Sequence, residues 1–511
     1  MKYFFSIVAS IIALNAVAQE TYEMANLETN DLNGTARYVG MGGAMEALGA
    51  DISTISTNPA GIGLFRKGQF SSSLGLVSQQ GEKGFASANK TNMSFDQIGF
   101  VLALQTNATN YVNFGFNYHK SRNFCQILSV ADKLEGASQS KLTLDKFAWE
   151  RIKSDKDLTY SQVDVLYHET LYDMNLINED GSFNRQAERF DGDSYNYKMG
   201  NHGYIGDYDF NISGNINNRV YLGATLSLHD VNYRGYSFYD EVLQPGNNAG
   251  LNTATLEDHR DIDGTGVDLK IGTIFRPLAE SPLRVGLYIH TPTYYSLTSY
   301  NRTGLQLNDQ YYQLYSDNPR VAEYDYIFTT PWKFGVSLGH TIDNYLALGA
   351  TYEFSDYGST DARIKDDDYF EWADSESDDA MNAHVKETLK GVSTLKLGAE
   401  YKPDRDISIR MGYNLVTPMY QEDAYRGVDV QSLGNYYSST TEYINWKSTH
   451  RFTVGLGFAL SDKAKIDVAY QYRTQKGDFL PFAGSDNDNL PFKHEVKNTR
   501  NQWLASFVYS F

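Results

Sequence analysis

The sequence predicts an all-β protein, a 14-stranded antiparallel transmembrane β-barrel with an N-terminal hatch, or plug, inside its lumen. Three observations predict it. From residue 69 onward the chain repeats one unit, a segment of alternating apolar and polar residues followed by a turn or loop. The connections between those segments alternate strictly in length. Aromatics make up 14% of a chain whose hydrophobic fraction is only 41% and whose mean hydropathy is −0.46. That pairing suits a wall in which only alternate residues meet lipid and aromatic girdles mark both interfaces.

The segments lie near 69–79, 93–106, 111–120, 202–216, 219–234, 258–276, 282–297, 322–341, 344–357, 390–402, 405–417, 440–460, 463–475 and 495–511. Several alternate without a break. Val112, Phe114, Phe116 and Tyr118 oppose Asn113, Gly115, Asn117 and His119. Phe452, Val454, Leu456, Phe458 and Leu460 oppose Arg451, Thr453, Gly455, Gly457 and Ala459. A period of two places one set on each face of a strand. Short connections (107–110, 217–218, 277–281, 342–343, 403–404, 461–462) follow even segments. Long ones (80–92, 121–201, 235–257, 298–321, 358–389, 418–439, 476–494) follow odd segments. Short periplasmic turns and long extracellular loops have this rhythm, and an even count returns the C-terminus to the periplasmic side.

The two ends agree. Lys2, the apolar run Phe4 to Leu14 and the small residues Ala16-Val17-Ala18 read as a signal peptide over 1–18, which directs the chain to the bacterial outer membrane as a multi-pass protein. Counting back by twos from the other end gives Phe511, Tyr509, Phe507, Ala505 and Trp503, one face of a strand with an aromatic at each limit. Phe511, Tyr509 and Phe507 are read as the assembly signal for the barrel-assembly machinery.

Composition removes other classes. Lys+Arg of 44 against Asp+Glu of 63 gives a net charge of −19, which argues against nucleic acid. One cysteine, Cys125, excludes a disulfide framework and a thiolate metal site. Gly335-Val336-Ser337-Leu338-Gly339 has nucleophile-elbow spacing, but it falls inside an alternating strand rather than at a strand-to-helix turn. No catalytic residue, metal or cofactor is expected. The acidic stretches Asp366-Asp367-Asp368, Asp374 to Asp379, and Asp486 with Asp488 read as solvated loop charge. The stretch 140–176 has helical spacing in places (Leu142, Phe147, Ile152, Val165, Leu171) over the barrel mouth. Lys270, Lys396, Glu400, Arg410, Lys465 and Asp467 fall on the lumen side, with mixed signs that suggest ion pairs with a plug.

Residues 19–68 precede the barrel of 69–511 and do not alternate. Gly40, Gly42 and Gly43 lie in a small-residue run from Thr35 to Leu48, suited to close packing on an inner wall. Asn58-Pro59-Ala60 follows, expected near the periplasmic end of strand one, where Pro59 restricts Asn58 to extended or turn geometry.

The run Arg37 to Ala44, then Asn58-Pro59-Ala60-Gly61, resembles the hatch of the long-chain fatty acid transporter family and its toluene-transporter relatives. The resemblance covers the hatch motif, the strand number and the C-terminal aromatic. It implies gated passive diffusion of a hydrophobic small molecule, with Asn58, Pro59, Ala60, Gly40, Gly42 and Gly43 as hatch or gating residues. It implies sideways exit through the wall and contact with outer-membrane lipid and lipopolysaccharide. It transfers no ligand-binding residue. The other function class the sequence allows is a scaffold or binding barrel attached to a secretion or surface-protein machine.

Overall fold

The computed structural model describes residues 20–148, 190–244, 250–278, 280–308, 310–313, 322–365, 375–427, 430–432, 440–484 and 489–511, with 161, 163, 164, 166, 167, 434 and 435. The signal peptide, Asp366 to Asp368, Asp374, Asp486, Asp488, Ile152, Val165 and Leu171 lie outside the described residues.

Fourteen antiparallel strands close a barrel. In order they are Gln69–Gln79, Thr91–Gln105, Tyr111–Asn123 continued by Gln126–Lys133, Gly192–Ile216, Val220–Leu243 and Thr253–Phe275. Strand seven is Arg284–His290 with Tyr294–Leu307, and strand eight is Ala322–Thr329 with Lys333–Ile342. Leu346–Asp356, Gly391–Tyr401, Ile407–Val416, Tyr443–Ala459, Ala464–Leu480 and His494–Ser510 complete the ring. Strand fourteen pairs with strand one from Ser510↔Gln69 to Arg500↔Gln79, which leaves no free edge. The Phe511 N–H donates to the Gly68 carbonyl and fastens the seam.

The alternation places side chains as the sequence predicts. Leu222, Leu226, Phe334, Val454, Phe458 and Trp503 are exposed on the outer surface, while Thr225, Ser227, Ser337, Thr453 and Asp467 are buried inside. Tyr345, Tyr401, Tyr509 and Phe511 are exposed near the periplasmic rim. An outward apolar belt with aromatics at its limit is a lipid-facing wall. The wall is that of a multi-pass barrel of the bacterial outer membrane.

Strands four, five and six run 25, 24 and 23 residues, longer than their predicted segments. A tilted strand crosses hydrocarbon in about 9–11 residues. The surplus projects beyond the membrane and carries a second apolar core. Tyr195, Tyr197, Tyr239, Leu305 and Phe479 pack there with Leu142 and Tyr167 of the long third loop, and helix Gln139–Ala148 begins that loop's cover.

Two adjacent strands break at the same height. Strand seven is interrupted at Thr291-Pro292-Thr293 and strand eight at Thr330-Pro331-Trp332. Proline has no N–H to give the ladder. Threonine hydroxyls bridge part of the gap. Thr330 Oγ1 accepts from the Thr293 N–H at 2.8 Å, and Thr291 Oγ1 accepts from the Leu269 N–H at 3.0 Å.

Candidate functional site

Residues 20–65 fold inside the barrel as four short helical turns, each started by its own cap. Glu20 accepts from the N–H groups of Tyr22 and Glu23 ahead of helix Thr21–Glu28. Thr35 caps Ala36–Gly40, and Asp51 caps the 3₁₀ turn Ile52–Ser56. Asn58 accepts from the Ala60 N–H and starts Pro59–Leu64 with proline in the first helical position.

Glycine brings this segment against the wall. Gly42 has φ +63°, and a Cβ on it would lie 2.8 Å from the Tyr413 nitrogen. A Cβ on Gly40 would lie 3.2 Å from the Gly455 Cα, and Gly412 of strand eleven faces Gly42 directly. Backbone meets backbone at this floor because neither side carries a side chain.

Asn58-Pro59-Ala60 lies elsewhere than expected. It packs against Gly223 of strand five, Gly272 of strand six and Gly286 of strand seven rather than at the end of strand one. The following turn, Pro59–Leu64, carries the chain back across the lumen to strand one. Asn58 Nδ2 donates to the carbonyls of Glu46 at 3.0 Å and Thr273 at 3.3 Å, so one side chain ties two parts of the plug to the wall.

Ion pairs hold the same floor. The Arg37 guanidinium grips Glu400 with two hydrogen bonds of 2.9 and 3.0 Å. Arg410 joins Glu400 to Asp467. Fully buried Glu46 receives Lys396 at 2.8 Å, the Tyr38 hydroxyl and the Thr351 hydroxyl. Lys396 and Glu400 therefore do pair with plug residues, as their mixed signs suggested. Lys270 instead pairs within the wall, with Asp209 and Asp268, and Lys465 is exposed at the periplasmic end.

Above the floor the lumen opens into a cavity of about 360 Å³ between the helix Thr21–Glu28 and the wall. Tyr22, Tyr295, Tyr420 and Trp446 give it aromatic surface; Arg122, Arg451 and Arg473 give it charge. The helix Asp379–Thr388, capped by Asp378, packs through Met381 and Val385 on the same apolar cluster as Met24 and Leu27 of the helix Thr21–Glu28. Thr291, Thr293, Thr330 and Pro331 also line the cavity, which therefore reaches the break in strands seven and eight. Sequence parity put Lys270, Lys396 and Arg451, which line this cavity, on the inner face, but it did not assemble the lining, because only the three-dimensional register brings these residues to one height.

The Gly335 to Gly339 stretch runs as regular strand paired on both sides, with no nucleophile turn. Among the described residues no group of three His, Cys, Asp or Glu side chains is placed to hold a metal. Cys125 is a free, half-buried thiol at the joint of strand three.

No protein-family model matches the chain. No curated protein matches it by sequence either. Solved structures do. A Pseudomonas aeruginosa FadL homologue aligns over 94% of this chain and 99% of its own, at 12% identity and a TM-score of 0.53. The Ralstonia pickettii toluene transporter TbuX aligns over 94% and 99% at 13% identity, TM-score 0.49. The first of these establishes that the chain has the fold of a FadL-type barrel.

Proposed function

We propose that this barrel lets small hydrophobic or amphiphilic molecules cross the outer membrane by gated passive diffusion, with fatty-acid-like or aromatic compounds as the first substrate classes to examine. The observation that carries the reading is the half-apolar cavity, with Tyr22, Tyr295, Tyr420 and Trp446 in its lining, held above a closed floor and beneath an extracellular cover. A pocket of this size, lined about equally by polar and apolar atoms, suits a small ligand with both an apolar body and a polar end. The floor blocks straight passage to the periplasm, so a ligand leaves either when the floor shifts or sideways. The break at Pro292 and Pro331 is the sideways route, because the cavity touches it and the ladder there depends on threonine side chains.

Asn58 and Pro59 are the proposed gating residues, since they tie the floor to strands five, six and seven. The test is uptake of labelled dodecanoate and labelled toluene by cells whose outer membrane carries the full chain. Asn58→Ala combined with Pro59→Ala is expected to lower uptake with barrel assembly intact. Normal uptake by that variant would reduce the motif to a structural turn. Failure of the unaltered chain to admit either compound, together with a stable protein partner on pull-down, would favour the scaffold reading.

A further inference from the structure

Strands twelve, thirteen and fourteen place three arginines side by side. Arg451 lies directly opposite Arg473, and Arg473 directly opposite Arg500. Directly opposed residues have Cβ atoms about 4.5–5.5 Å apart, and like charges in that position repel. All three face the lumen and are only 4, 7 and 6% exposed. Arg122 of strand three reaches the same place, its Nη1 3.7 Å from Asp31.

One plug carboxylate, Asp31, answers these four cations. Its Oδ1 lies 2.9 Å from Arg473 Nη1, and its Oδ2 accepts the Asn123 N–H. Burial opposes its ionisation, but Arg473, Arg122, Arg500 and Arg451 outweigh burial and hold it well below the usual carboxylate range. The arginines' remaining acceptors are neutral. Asn414 and the Asn30 carbonyl take Arg451, Gln475 takes Arg473, the Asn123 carbonyl takes Arg500, and Asn26 takes Arg122. The Nε–H of every one of the four is buried without a partner. Asp96, in the adjoining crevice, is turned toward Asn33 and Ser94.

Other charge clusters of the lumen are matched. Arg37 and Arg410 face Glu400 and Asp467; Arg260 and Arg426 face Glu20 and Glu23; Lys270, His119 and His229 face Asp207, Asp209 and Asp268. Four guanidinium groups around one carboxylate break that pattern. Guanidinium N–H forks match pairs of oxygen atoms on carboxylate, sulfate or phosphate.

We propose that Arg122, Arg451, Arg473 and Arg500 form a binding site for an oxoanion, and that Asp31 occupies it as a tethered stand-in. The anion comes from the main cavity, which three of the arginines line. It is either a free ion or the head of an amphiphile, and only the second case rests on the transport reading. Its arrival displaces the Asp31 carboxylate from Arg473 and so loosens the upper plug from the wall.

Calorimetric titration of the full chain in non-ionic detergent tests this, with inorganic phosphate and dodecanoate as probes and decanol as the neutral control. Asp31→Asn is expected to tighten oxoanion binding at least tenfold, because the competitor is gone. Arg473→Gln and Arg500→Gln are each expected to weaken it at least tenfold. Arg500 does not contact Asp31 directly, so its variant serves if Arg473→Gln fails to assemble. Phosphate binding in this pattern identifies a free anion; dodecanoate binding without phosphate binding identifies a headgroup. Affinity unchanged in both Asp31→Asn and Arg500→Gln, or decanol bound as tightly as dodecanoate, would overturn the site. Loss of cellular uptake alongside intact, arginine-dependent binding would remove the transport reading and leave the site standing.

Discussion

The plug has two halves, and they are held differently. The floor, Thr35 to Phe65, meets the wall backbone to backbone at Gly42 and Gly412 and at Pro59 and Gly223. Arg37 and Glu46 there meet opposite charges within hydrogen-bond reach, and buried Asp51 accepts from the Thr35 hydroxyl and the Ser53 N–H. The upper strap, Glu20 to Asn33, lies beside an open cavity; Arg260 and Arg426 meet Glu23, but one buried carboxylate oxygen of Glu20 and one of Glu28 have no hydrogen-bond partner. Buried polar groups normally find partners, so an element that leaves two carboxylate oxygens unmatched beside a cavity is the less stable one. The contrast teaches where motion belongs. The floor is the seal that Asn58 and Pro59 hold in place, and the strap is the part that a ligand shifts first.

The largest expected effect comes from removing both halves. Deleting residues 19–60 takes away the floor contacts together with the strap, and leaves the closed ring of strands. Conductance in planar bilayers is expected to rise from a tight barrel to an open, non-specific pore. Unchanged conductance would mean that the segment does not obstruct the lumen.

A smaller effect should separate the halves. Glu46→Ala leaves Lys396 with Glu353 alone and strips the acceptor from the Tyr38 and Thr351 hydroxyls. Breaking a buried pair on one side costs about 3–5 kcal/mol. The floor is therefore expected to loosen, read as frequent brief openings in single-channel recordings while heat-modifiable migration of the barrel persists. A variant as silent as the parent would show that packing, not the Glu46 network, makes the seal.

The barrel was largely legible in the sequence, and the site was not. Period two and loop rhythm gave strand number and facing, because lipid forces alternate residues such as Phe452, Val454 and Leu456 outward. The surplus of strand four, Gly192 onward, escaped notice. There Tyr195 and Tyr197 turn into the extracellular core rather than out to lipid, so the expected pattern no longer applies. Each of Arg451, Arg473 and Arg500 has the parity of a lumen residue. Their shared height depends on cross-strand register, which a single sequence does not contain. The hatch motif was visible, but its landing place on Gly223, Gly272 and Gly286 was not, since many glycines look alike until a plug covers them.

The smallest predicted effect concerns the strap alone and its response to pH. Glu28 closes the helix Thr21–Glu28 with its side chain buried. The Thr360 hydroxyl donates to Oε1, and Oε2 has no partner. Burial pushes its carboxyl up to about 8, against the opposing pull of the Thr360 hydrogen bond and the more distant Lys333. The ordinary glutamate value is about 4.3, and the released strap returns Glu28 toward it. A carboxyl whose docked value exceeds its free value binds its proton more tightly when docked. Its contribution to docking is therefore complete below about pH 4.3 and is lost progressively as pH rises toward 8. Hydrogen exchange of the amides from Met24 to Glu28, corrected for intrinsic rate, is expected to show more protection at pH 5 than at pH 8.5. Glu28→Gln keeps a neutral side chain at every pH and is expected to flatten that difference. The floor amides around Val39 should not follow the same trend, because Glu28 makes no contact there. Equal protection of the strap at both pH values would mean that Glu28 stays charged when buried. A floor that loosened in step with the strap would mean that the two halves of the plug open as one unit, and the contrast drawn between them would fail.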